Sequence, residues 1–199
     1  MKKSRRISLL CVACMLLSAV SFGKDYEVVS PDQNLRLEIT INDKIEYSVS
    51  YQSKVLIEPS PISLKLGDGV VLGVNPKVNE VRRIQVDENI YPPVRVKSRV
   101  IPDRFNEISL ECEGGYSLIC RAYDDGVAYR FVTDIDKDIE VVMEEVTFNF
   151  AGDQGIYFPE EESFQSHSER DYVYLKLSEI SDQRMCSLPA LVDVVSEVR

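Results

Sequence analysis

The chain has no tryptophan and a single histidine, His167, among its 199 residues. One histidine excludes a multi-histidine metal site and any serine–histidine catalytic pair that does not use it. No glycine-rich phosphate loop is present, because Gly67-Asp68-Gly69 precedes no helical pattern and reads as a turn. Ser163, Ser166 and Ser168 lack the pattern of a nucleophile elbow. Basic residues are outnumbered, 23 against 33 acidic, for a net charge of −10. Phosphate backbones demand Lys/Arg clusters, so nucleic acid is not an expected partner. No window of a dozen residues repeats its apolar positions with the helical period, which argues against long amphipathic helices.

The one long apolar run lies at the start. Lys2, Lys3, Arg5 and Arg6 precede an almost wholly apolar stretch over residues 7–22, and Ser21-Phe22-Gly23 places small residues where a signal peptidase reads. This layout predicts a secretory signal peptide over residues 1–23, hence export to the periplasm. The run falls short of the roughly 20 apolar residues that span a bilayer, so no membrane span is expected after cleavage. Lipoprotein anchoring is the lesser reading. Cys11 leaves too short an apolar run before it, and Cys14 has Cys11 where an aliphatic residue belongs. Cleavage removes four basic residues and no acidic one, leaving 23 − 4 = 19 basic against 33 acidic, a charge of −14. Residues 24–199 then form one domain, long enough to bury a real core. Its cysteines, Cys112, Cys120 and Cys186, are odd in number and show no tight spacing, so buried free thiols are expected.

What the remaining chain does contain is β pattern. Asp124-Asp125-Gly126 sits between two apolar-rich runs in residues 116–131, the strongest short-range signal for a hairpin. A two-residue turn at Asp125-Gly126 would oppose Arg121 to Arg130. A three-residue turn over 124–126 would oppose Arg121 to Tyr129, allowing a cation–π contact, and is the favoured register. Strict alternation over residues 35–41 and 45–51 predicts a second, half-buried hairpin. Short strands are predicted at 54–58 and 62–66, separated by Pro59 and Pro61, and again at 80–86, 94–100, 105–112, 140–143 and 146–150. Turning at Gly114-Gly115 would set Cys112 near Ser117 and Cys120 near Ser109. Residues 153–171 read as an exposed loop, followed by strand-like patterns at 172–175 and 188–198. Short strands punctuated by turns predict an all-β, antiparallel sandwich. The strand-like pattern runs to the last residue, so the domain is expected to be incomplete at its C-terminal end.

Two stretches could carry chemistry. Asp134, Asp136 and Asp138 with Glu145 mimic calcium-loop spacing, but Ile139 stands where the loop needs glycine, so a solvated turn is expected. Glu160, Glu161, Glu162 and Glu169 lie near His167 and Arg170. Acid–base work on sugars needs two carboxylates held across the scissile bond, which adjacency in sequence does not supply. No catalytic residue and no metal ligand is assigned.

Five motifs in order resemble the N-terminal domain of glycoside hydrolase family 97. They are Ser30-Pro31-Asp32 with the alternating strand after it, Glu58-Pro59-Ser60-Pro61, Arg121-Ala122-Tyr123-Asp124-Asp125-Gly126-Val127-Ala128-Tyr129-Arg130-Phe131, Phe158-Pro159-Glu160-Glu161-Glu162-Ser163-Phe164, and Ser187-Leu188-Pro189-Ala190-Leu191-Val192. The resemblance implies a β-super-sandwich like that of galactose mutarotase. In the intact enzyme it implies a (β/α)₈ catalytic barrel that hydrolyses α-glucosides or α-galactosides, with calcium beside the sugar. The N-terminal domain would brace that barrel, shape one side of the sugar pocket and lend the calcium a carboxylate from beyond Arg199. The barrel is absent from this chain, so it is expected to be inactive alone, with calcium belonging to the intact enzyme. The implied partner is an oligo- or polysaccharide, and the loop over residues 160–170 is taken as the pocket-facing side, with Glu161, His167 and Arg170 as substrate-side residues. The competing readings are a free-standing exported glycan-binding module and a β-sandwich of structural or adhesive role.

Overall fold

The structure, a computed structural model, describes residues 24–94, 97–167 and 169–194. The expected signal peptide, residues 1–23, lies outside the described residues, as does the end of the 188–198 pattern from 195 onward.

The chain starts as a meander: β1 (Lys24–Val29), β2 (Leu35–Ile41), β3 (Ile45–Tyr51) and β4 (Lys54–Leu66), followed by the short β5 (Val71–Leu72). A second meander follows, with β6 (Val78–Ile90), β7 (Ile101–Cys112), β8 (Tyr116–Tyr123) and β9 (Val127–Thr133). The chain then returns to the first sheet as β10 (Val141–Val146) and β11 (Asn149–Phe150). The first sheet runs β1-β2-β3-β4-β10, with β5 and β11 also on β4; the second runs β6-β7-β8-β9. All pairings are antiparallel. The expected all-β, antiparallel super-sandwich is what forms.

The alternation predicted for β2 and β3 becomes the packing. Leu35, Leu37, Ile39 and Ile41 are buried while their neighbours are not, and Ile45, Tyr47 and Val49 repeat the pattern on β3. Across the sandwich they meet Ile108, Leu110, Leu118, Cys120 and Ala122 from β7 and β8. Each aliphatic side chain so buried contributes about 1.5–3 kcal/mol of transfer free energy. Cys112, Cys120 and Cys186 are free thiols, the first two buried. Burial pushes the Cys120 thiol up to about 12, which keeps it protonated and inert.

Four local expectations are corrected, the first being the registers of two hairpins. The hairpin at Asp124 takes neither register considered. Its turn is Asp124-Asp125, closed by Tyr123 N–H donating to Gly126 O at 2.8 Å. Arg121 therefore faces Ala128, and Cys120 faces Tyr129. The reason is the two-residue side-chain period. Unlike the three-residue turn, this register puts Val127, Tyr129 and Phe131 on the same face as Leu118, Cys120 and Ala122, and unlike the two-residue turn at Asp125-Gly126 it does not oppose Arg121 to Arg130. The cation–π contact of Arg121 is made instead with Phe105, 4.1 Å from its ring centre. The hairpin at Gly114-Gly115 is likewise one residue off, pairing Cys112 with Tyr116 and Cys120 with Ile108.

Strand β4 is continuous through both prolines. Pro59 falls where the β3 ladder is irregular and in the gap between β10 and β11 on the other side, so its missing N–H breaks no ladder bond. Asn149 closes that gap, its backbone N–H donating to Ser60 Oγ at 2.9 Å and its Nδ2 to Pro59 O at 2.7 Å. The third correction concerns residues 94–100. Those described there form no strand, and the long β6–β7 hairpin takes up the sequence on both sides instead.

The tip of the β8–β9 hairpin is tied back to the first meander. Asp124 Oδ1 accepts the Asp32 backbone N–H at 2.8 Å, and Asp124 is also paired with Arg104. Asp32 in turn accepts bonds from Ser30 Oγ at 2.5 Å and from the Asn34 backbone and side-chain amides at 3.0 and 2.8 Å. The Ser30 hydroxyl first, then the Asn34 amides, pull its carboxyl from the ordinary 3.8 down to about 2. A depressed carboxylate contributes stability above its unfolded value that is lost as pH falls through the folded one. Asp32→Asn is therefore expected to flatten the fall in stability between about pH 4 and pH 2. Urea midpoints across that window measure it, and parallel curves for the two proteins would sink the assignment.

Candidate functional site

The fourth correction concerns the stretch read as an exposed loop, residues 153–171. Much of it is structured. β12 (Gly155–Phe158) is the middle of a small sheet between β14 (Val173–Lys176) and β16 (Leu191–Asp193), while β13 (Glu160–Glu161) pairs with β15 (Met185–Cys186). Gln154, Ile156, Phe158 and Glu161 are buried. Outside strands lie residues 153–154, 159, 162–167 and 169–171, with Phe164 almost fully exposed.

Glu160 and Glu161 are neighbours on a strand and so point to opposite faces. Each finds its own arginine. Arg184 donates from Nε and Nη2 to the two oxygens of Glu160 at 2.6 and 2.7 Å, lies 5.5 Å from the Phe158 ring centre, and donates from Nη1 to Glu179 O at 3.1 Å. Arg170 Nε donates to Glu161 Oε2 at 2.9 Å, with the Glu161 side chain only 4% exposed. The Arg170 hydrogen bond outweighs burial and holds the Glu161 carboxyl below the usual carboxylate range; the Ser166 hydroxyl and the nearby His167 act in the same direction. His167 Nδ1 accepts the Glu169 backbone N–H at 3.1 Å. The three residues singled out, Glu161, His167 and Arg170, are thus brought together electrostatically, though only Glu161 and Arg170 share a hydrogen bond.

Two contributors escaped sequence reasoning. Arg184 lies 24 positions from Glu160, and only the β13–β15 pairing joins them. Tyr174 packs on Tyr157 with ring centres 4.9 Å apart, because the β12–β14 register sets them opposite. Both rings remain about half exposed, and Tyr172 beside them is half exposed too. Gly155 permits this packing, since a Cβ there would collide with the Tyr174 ring.

Chemically, this part of the chain offers a guanidinium on a buried carboxylate and, on the β12–β14 pair, open aromatic faces. Such a surface can bind hydroxyl-rich ligands by donated hydrogen bonds and ring stacking. It is not arranged for acid–base hydrolysis, because both carboxylates are already committed to arginines and do not face each other across a gap. Among the described residues no three His, Cys, Asp or Glu side chains converge as a metal site. The residues around Asp134 form a turn instead, where Lys137 Nζ donates to Asp68 Oδ2 at 2.8 Å.

The class of protein that fold and site define is an antiparallel β-super-sandwich domain carrying an arginine-braced loop. The chain belongs to the Glycosyl-hydrolase 97 N-terminal family, whose sequence profile matches residues 28–198. It is 34% identical over 200 residues to a retaining alpha-galactosidase of Bacteroides thetaiotaomicron, covering 96% of this chain and 30% of that protein. Its fold matches a glycoside hydrolase family 97 enzyme from Pseudoalteromonas sp. strain K8, solved in complex with panose, at a TM-score of 0.68 and 20% identity over 77% of this chain and 25% of that one. A beta-arabinopyranosidase matches at a TM-score of 0.66 and 26% identity, over 75% and 26% of the two chains. The chain thus spans under a third of the length of these relatives.

Proposed function

We propose that this chain is the carbohydrate-associated N-terminal domain of an exported family 97-like enzyme, bracing a catalytic barrel and shaping one side of its sugar pocket. The reaction of the intact protein would be hydrolysis of α-glucosides or α-galactosides. The likeness to a retaining alpha-galactosidase along 96% of the chain favours the second. The observation that carries the pocket role is the Arg170–Glu161 pair, a guanidinium held on a buried carboxylate in the 160–170 loop. Arg170 holds the buried carboxylate through Nε while its side chain stays about one-third exposed, so its guanidinium can also donate to a sugar hydroxyl. His167 lies on the same loop. The basic, apolar start of the sequence supports export to the periplasm.

Calcium is proposed for the intact enzyme on family grounds. The described residues of this chain do not make a ligand set for it, so no step here runs through it.

Arg170→Ala in the intact enzyme is expected to weaken sugar affinity roughly ten-fold, the worth of about one charge-assisted hydrogen bond. Arg170→Lys should recover only part of that, since an ammonium lacks the planar fork. Steady-state kinetics reads the effect, and unchanged KM and kcat in Arg170→Ala would rule this reading out.

A further inference from the structure

Phe164 is the most exposed large apolar side chain among the described residues, at 98%. The other exposed aromatic rings, from Tyr51 at 39% to Tyr91 at 69%, each rest partly against the protein. Phe164 does not, so it forgoes the burial through which a phenylalanine normally stabilises a fold.

The loop that carries this ring has a built support. Its ends, Glu161 and Arg170, are joined by the 2.9 Å ion pair, and Glu161 is fixed on β13 by pairing with Met185 of β15. The Ser166 hydroxyl also bonds the Glu161 carboxyl, and Ser163 Oγ donates to Gln165 O at 3.0 Å. A short surface loop with joined ends and internal bonds is an Ω-loop, a form frequently used for function. The residues flanking the ring are Glu162, Ser163, Gln165 and Ser166, all polar. A protein-docking surface has a contiguous apolar core, and here the ring stands alone. A lone ring among hydroxyl, amide and carboxylate groups suits a ligand that offers both a C–H face and hydroxyls. The acidic chain, at −10 overall, favours a neutral ligand over a polyanion.

We infer that Phe164 is the ring on which a neutral pyranose of the substrate stacks, while Arg170 at the base of the same loop donates to sugar hydroxyls. The face of an aromatic ring carries negative charge density, which attracts the weakly positive C–H groups on one side of a pyranose. The inference rests on the sugar-pocket reading of Arg170 and adds a second residue with its own contact to the substrate. The ring contributes affinity, and no proton passes through it.

Steady-state kinetics of the intact enzyme tests it, with p-nitrophenyl α-galactopyranoside or α-glucopyranoside, whichever is hydrolysed. Phe164→Ala is expected to raise KM roughly five-fold and to leave kcat within about two-fold. Phe164→Tyr should restore KM, because it keeps the ring, whereas Phe164→Leu should stay close to Phe164→Ala. All three variants should melt within about 1 °C of the parent, since the ring packs on nothing in its own domain. An unchanged KM in Phe164→Ala overturns the proposal. So does equal recovery by leucine and tyrosine, or a lowered melting temperature that leucine repairs, either of which assigns Phe164 to an apolar contact with another part of the enzyme. Arg170→Ala measured alongside separates the two readings. A raised KM there with none in Phe164→Ala removes this inference alone, and no change in either variant removes both.

Discussion

Leu110→Ala should lower the stability of the domain by about 3 kcal/mol, within the roughly 2–5 kcal/mol typical of emptied core sites. Leu110 has no exposed surface and sits where β7 carries the second sheet's inner face against the first. Truncation removes three carbon atoms from a close-packed contact and leaves a void that β7, hydrogen-bonded on both sides to β6 and β8, is poorly able to collapse. For a domain of this size the melting temperature should fall by roughly 6–12 °C. Ser109→Ala is the control. Its side chain points to the other face, and a change within about 0.5 kcal/mol is expected. Equal losses from the two substitutions would mean that the inner and outer faces have been misassigned.

Arg121→Ala should cost about 2–4 kcal/mol through two losses at once, although it lies on the outer face of the second sheet. Arg121 Nε donates to Glu107 Oε2 at 2.6 Å from the facing position on β7, and the Glu107 side chain is only 11% exposed. Removing the arginine leaves that carboxylate largely desolvated and unpaired. It also strips the cover from Phe105, which is 3% exposed beneath the guanidinium and the Tyr123 ring, whose centre lies 5.1 Å away. Arg121→Lys keeps the charge but loses the flat stack and the Nη1 bond to Tyr123 Oη, so a partial loss is expected. In a double-mutant cycle with Glu107→Gln, the pair should show a coupling of about 1–3 kcal/mol. Strict additivity in denaturant unfolding would mean that the two side chains act independently.

Much of the fold was legible in advance because half-buried strands carry a two-residue period. The alternation in β2, β3 and β8 became buried and open faces residue by residue. The Asp-rich turn and the Gly114-Gly115 turn marked two hairpins though not their registers, and five short motifs in order carried the family. The candidate site was legible in composition only. Glu161, His167 and Arg170 could be named, but not the depth at which Glu161 sits, nor the packing of Tyr157 on Tyr174.

The sequence by itself determined that the fold is of the all-β class, which strand faces are apolar, and to which family it belongs, since these depend on residues near one another in the chain. Tertiary structure alone decided the β8–β9 register, which slips by one residue so that both strands turn their apolar sides to the opposing sheet. It also decided that β4 passes through Pro59 and Pro61, because the ladder gap that tolerates Pro59 is made by β10 and β11 some 90 residues away. And it decided that Arg184 clamps Glu160, a contact that exists only once β15 has paired with β13. In each case the deciding partner lies far off in sequence, and local pattern does not encode which strand will arrive beside which.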